Sequence, residues 1–85
     1  MTKLDKLIKK IKSDPRDFTW SELSKLLSIL GFEEYGAGKT GGSRRKFYHK
    51  ELDLIINLHK PHPHPILKHY AVKQVKELLE EEDLI

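Results

Sequence analysis

Two six-residue runs, Arg44–His49 and Leu54–His59, are separated only by Lys50-Glu51-Leu52-Asp53. Short runs of this kind, bounded by polar links, read as two strands of a hairpin. In a strand, successive side chains point to opposite faces. With Phe47 facing a core, Arg45 and His49 share its side, and Arg44, Lys46 and Tyr48 point away. With Leu54, Ile56 and Leu58 facing that core, Ile55, Asn57 and His59 point away as well. One face of the hairpin therefore needs an apolar cover. The other presents cations, a phenol, an amide and an imidazole.

The cover comes from helices. Leu4, Leu7, Ile8 and Ile11 recur at helical spacing within residues 3–13, with lysines on the opposite side. Thr2 and Asp5 have the spacing of a capping-box variant. Asp14-Pro15 ends this helix, because a residue before proline is pushed toward extended geometry. The lysine-rich side reads as a solvated face rather than a binding surface. A second helix opens on the T-x-x-E box of Thr19 and Glu22. Its stripe is Trp20, Leu23, Leu26, Leu27 and Leu30, read as core. Gly31 supplies a left-handed C-terminal position, and Phe32 folds back toward Leu27. Residues 33–36 make a short strand. Gly36, Gly38, Gly41 and Gly42 then mark a loop. Past the hairpin, prolines 61, 63 and 65 stop the strand, and Pro65 suits the first turn of a last helix. Leu67, Ala71, Val75 and Leu78, flanked by Val72 and Leu79, form its stripe. Glu80, Glu81, Glu82 and Asp83 oppose the negative end of that helix, so fraying is expected there.

The order is helix, helix, three strands, helix. This is an α+β fold, a three-stranded antiparallel sheet with helices on one face. The 85 residues suit one small domain. No internal repeat or second domain is visible. The formal charge of +3 is mild, but residues 39–50 hold Lys39, Arg44, Arg45, Lys46 and Lys50 and no acid. Such a surface is compatible with nucleic acid. There is no cysteine, so disulfides and thiolate metal sites are excluded. No apolar run approaches a membrane span, and no signal-peptide core is present. A cytoplasmic protein without membrane attachment is the expectation.

The five histidines fall between positions 49 and 69. Imidazole is a good zinc ligand. Here, however, alternate prolines hold the His59-Lys60-Pro61-His62-Pro63-His64-Pro65 segment extended, and no cysteine or acidic ligand pattern joins it. No metal site and no cofactor are expected. The glycine-rich loop lacks the order of a P-loop.

The segment from Trp20 to Phe32 ending in Leu-Gly-Phe, then Gly42-Ser43, Phe47, the apolar strand and the closing helix, resembles the HicA toxin family over residues 17–80. Residues 1–14 add a helix beyond the minimal family fold. The resemblance implies a small double-stranded-RNA-binding-domain-like fold. It also implies the toxin of a type II toxin–antitoxin system, a ribonuclease that cleaves mRNA and is neutralised by a HicB-like antitoxin. The family pattern runs Gly-Ser-His, with the histidine catalytic, and here Arg44 stands at that position. Either catalysis has moved, or Arg44 serves another role, or the protein binds RNA without cutting it.

Metal-free RNA cleavage needs a base, an acid for the leaving oxygen and a cation for the charged transition state. An imidazole titrates near neutral pH and can take a proton from a ribose 2′-hydroxyl. The candidate catalytic pair is His59 as base and Arg44 as stabiliser. The candidate RNA-binding set is Lys39, Ser43, Arg44, Lys46, Tyr48 and Asn57. Cations hold phosphates there, and Tyr48 offers a stacking ring.

Overall fold

The computed structural model describes residues 2–36 and 44–85. Its elements are α1 (Lys3–Lys12), α2 (Trp20–Ile29), β1 (Phe32–Gly36), β2 (Arg44–His49), β3 (Leu54–His59) and α3 (His69–Glu81). The expected α+β order is present. The glycines at 38, 41 and 42 lie outside the described residues.

Both expected capping boxes form. The Thr2 hydroxyl accepts from the Asp5 N–H at 3.1 Å, and the Thr2 N–H donates to the Asp5 carboxylate at 3.3 Å. Thr19 and Glu22 exchange the same two bonds at 3.1 and 3.0 Å. Glu22 also ties α1 to α2, accepting from the Lys10 ammonium with both carboxylate oxygens at 2.9 Å. Partial burial opposes ionisation of Glu22. The bonds from Lys10 and Thr19 outweigh that penalty and hold its carboxyl below the usual value. A depressed carboxyl contributes stability above its unfolded value, and that stability is lost as pH falls through the folded one. Glu22→Gln should therefore be less stable than wild type at about pH 7, and the gap should narrow toward about pH 3. Urea unfolding at both ends of that range tests this; a gap that is the same at both would exclude the linkage.

The helix ends depart from expectation in three places. Asp14 is not extended but left-handed, at φ 58°. Its N–H turns back to the Ile11 carbonyl, and its carboxylate accepts from His69 Nε2 at 2.6 Å. That bond holds the Asp14 carboxyl below its usual range. The end of α3 is closed rather than frayed. Asp83 is left-handed at φ 57°, the Leu84 N–H reaches the Leu79 carbonyl at 2.8 Å, and the Asp83 N–H reaches Glu80 at 3.1 Å. These are the two bonds of a Schellman motif. Finally, Pro65 is not in the first turn of α3, which starts at His69. Extended pairing captures residues 65–67 instead: the Trp20 N–H donates to the Pro65 carbonyl at 2.8 Å, and the Leu67 N–H donates to the Phe18 carbonyl at 2.9 Å.

The sheet is antiparallel in the order β1-β2-β3. Its inner face is Phe32, Phe47, His49, Ile56 and Leu58, all buried. The four apolar ones meet Leu7 and Ile11 of α1, Trp20, Leu23, Leu26 and Leu27 of α2, and Val72, Val75 and Leu79 of α3 in one cluster. The Trp20 and Phe47 rings pack at 5.6 Å. In α3 the buried line runs through Val72, Val75 and Leu79, with Ala71 and Leu78 half-buried beside it. Sequence reading passed over Phe18, which is fully buried under the Lys10 ammonium.

His49 is the one buried polar residue described. The Leu52 N–H donates to its Nδ1 at 3.2 Å. Nε2 therefore carries the proton and donates to the Leu30 carbonyl at 3.1 Å. The ring stands edge-on to Phe32 at 5.0 Å. Gly31 lies directly beneath, at φ 105°, where an added Cβ would come within 2.7 Å of His49 Nε2. The hairpin turn and the end of α2 are thus joined through one imidazole.

Candidate nucleic-acid interface

The register that buries Phe47 and Ile56 fixes what the other face carries. Arg44 lies opposite His59, Lys46 opposite Asn57, and Tyr48 opposite Ile55. Across the other side of β2, Tyr35 lies opposite Lys46 and Glu33 opposite Tyr48. Directly opposed residues in antiparallel strands have Cβ atoms about 4.5–5.5 Å apart. The Arg44 guanidinium and the His59 imidazole thus spring from adjacent positions at one end of the sheet.

This end of the face is a shallow concavity whose lining includes Tyr35, Arg44, Lys46, Asn57 and His59. Arg44, Lys46, Asn57 and His59 are exposed. The opposite end is acidic. Glu33 accepts from the Tyr35 hydroxyl at 2.8 Å, and Asp53 accepts from the Tyr48 hydroxyl at 3.2 Å. Those hydrogen bonds raise both phenols above their ordinary range. Both tyrosines therefore stay neutral and keep their protons at physiological pH. A polyanion meeting this face is drawn to the cationic end and turned away from the acidic one.

Of the residues anticipated from sequence, Arg44, Lys46, Tyr48, Asn57 and His59 share this face. Lys39 and Ser43 lie outside the described residues. Tyr48 sits apart from the concavity, half-buried and tied to Asp53. Tyr35, 48% exposed, takes the aromatic place beside the cations. Sequence reading did not single it out. The signal was present: with Phe32 anchored inward, alternation sends Glu33 and Tyr35 outward. Arg45 points to the other face, where its Nε lies 3.7 Å from Glu34.

The histidines separate into different roles. His49 is structural, and His69 pairs with Asp14. His62 and His64 are exposed beyond the strand. His59 alone among them stands on the outer sheet face. Among the described residues, no group of three or more His, Asp or Glu side chains comes together as a metal ion would require. No described helix is long and apolar enough to cross a membrane.

Chemically, the concavity can hold a phosphate between two neighbouring cations. It offers a ring for a base to stack on and an imidazole to exchange a proton. The family model described as "HicA toxin of bacterial toxin-antitoxin" matches residues 20–81, from the start of α2 to the end of α3. No curated protein and no solved structure matches the chain.

Proposed function

The chain belongs to the HicA toxin family, and from that premise we propose that this toxin cleaves mRNA at the Arg44–His59 end of its sheet, without a metal or organic cofactor. The observation that carries the reading is the direct opposition of Arg44 and His59 on an exposed face, with Lys46 two pairs further along and next on that face. Lys46 and Arg44 hold the phosphate. His59 takes the proton from the ribose 2′-hydroxyl. The 2′-oxygen then attacks the adjacent phosphorus, and the bond from phosphorus to the 5′-oxygen breaks. The leaving oxygen takes a proton from water in this open site. Arg44 neutralises the extra charge on the phosphoryl oxygens in the transition state. In this reading α1 belongs to the same folding unit, because Leu7 and Ile11 help close the core. The arrangement is then a small double-stranded-RNA-binding-like fold with one added helix, working in the cytoplasm.

A HicB-like antitoxin opposes this activity by covering the cationic end of the face. Its contact surface is acidic, because a covered cation must meet a counter-charge. Reversing Arg44 and Lys46 to glutamate should slow association with the antitoxin and weaken the complex. Surface plasmon resonance reads both quantities. Unchanged kinetics would move the antitoxin to another surface.

A second reading, RNA capture without cleavage, has its own support. Arg44 occupies the place where the family pattern has histidine. Among the described residues no side chain orients the His59 ring by a hydrogen bond, as a positioned base usually requires. Both readings require phosphate binding, so RNA affinity should fall as salt rises. Only the first requires products. Incubating purified toxin with one RNA and resolving the products decides between them.

A further inference from the structure

The concavity has a neighbour. A second groove runs between the β3 edge and the first turns of α3. The two grooves share Asn57, Leu58 and His59 as a common wall. Past that wall the second groove is lined by Lys60, Lys68, Tyr70 and Gln74, with no carboxylate among its lining residues. Tyr70 is 60% exposed, more than any other large hydrophobic residue described. Gln74 follows one helical turn later on the same side. Lys60 and Lys68 are exposed, and neither joins a salt bridge among the described residues.

A single exposed tyrosine is ordinary. An exposed ring flanked by two lysines in an acid-free groove is the combination that binds single-stranded nucleic acid, with stacking for a base and charge for the backbone. The shared wall adds direction. Any strand lying over His59 on the sheet face is already at the mouth of the second groove. A duplex is too stiff and wide to turn over a sheet edge at that point, whereas a single strand can.

We propose that this groove is a flanking subsite for single-stranded RNA. A strand whose reactive linkage lies over Arg44 and His59 crosses the β3 edge, stacks a base on Tyr70 and lays its phosphates against Lys60 and Lys68. The subsite rests on reading the sheet face as the RNA site, and it deepens that reading by assigning part of the substrate's sequence context to α3.

The test uses two labelled RNAs, one of roughly four nucleotides and one of roughly ten, titrated by fluorescence anisotropy. Wild type should bind the longer RNA more tightly. Tyr70→Ala should lower affinity for the longer RNA about tenfold, as expected for one stacked base, and leave the short RNA unchanged. Tyr70→Phe should keep the gain. Lys60→Gln with Lys68→Gln should make the salt slope for the longer RNA shallower by about 1.4, two phosphates at roughly 0.7 each. Equal binding of the longer RNA by wild type and Tyr70→Ala overturns the subsite. So does an equal loss on both RNAs, which would place the ring's effect elsewhere, or transfer of the Tyr70 effect from RNA to antitoxin binding. If wild type binds the short RNA and gains nothing from the extension, the subsite is absent and the sheet face stands. If wild type binds neither RNA, the sheet-face reading falls and takes the subsite with it.

Discussion

Replacing His59 with alanine should slow cleavage of a defined RNA by about 10²–10⁴-fold, the usual contribution of a general acid–base group. The variant should fold, because His59 is exposed at the end of β3 and no core residue leans on it. Circular dichroism can check that directly. Wild-type cleavage should survive chelators. His62→Ala and His64→Ala should do far less, because both residues sit beyond the strand and outside the concavity. Arg44→Ala should cost rate and affinity together, since the guanidinium meets phosphate in the ground state and in the transition state. A folded His59→Ala protein that cuts at the wild-type rate removes His59 from the role of base.

The largest loss of stability is expected far from that pair, at Gly31. Its φ of 105° suits only glycine, and an added Cβ would stand 2.7 Å from His49 Nε2. Gly31→Ala must accept a strained backbone or push the ring aside. Moving the ring breaks the bond His49 donates to Leu30 and the one it accepts from the Leu52 N–H. Strain of about 1–2 kcal/mol and buried groups left unpaired at about 1–3 kcal/mol add to a substantial loss. A domain of this size has roughly 4–13 kcal/mol in total. The variant should therefore unfold at much lower urea than wild type, and His49→Ala should behave similarly. A Gly31→Ala midpoint equal to wild type would mean that the clamp is dispensable.

The elements were legible because each carries its own local chemistry. Thr19-x-x-Glu22 and Thr2-x-x-Asp5 are complete capping instructions within four residues. The alternation around Phe47 and Ile56 fixes a face with no knowledge of the rest. One miss was a decision made at long range. Nothing near Pro65 says that Phe18 and Trp20 will claim its neighbours as an extended bridge and delay α3 to His69. The end of α3 was a local miss: Leu79 and Leu84 have the spacing of a Schellman closure, and the four acids between them drew the reading toward repulsion instead. By contrast, alternation alone places His49 on the core side of β2 and His59 on the outer side of β3, and the structure keeps both there. The candidate face was legible for β2 and β3. It was incomplete for β1, where Tyr35 follows two adjacent glutamates that blur the alternation.

The imidazole clamp at the turn has a consequence for genetics. Arg44 and His59 sit at the open end of the hairpin, and the bonds of His49 fix its closed end. Slipping one strand by a single residue would send Arg44 and His59 to opposite faces without altering either side chain. Selection for cells that survive this toxin without its antitoxin should therefore return two kinds of lesion. One removes the chemistry at 44 or 59. The other leaves every reactive group in place and damages 31 or 49. A survivor map read only as a catalytic map would misassign the second kind.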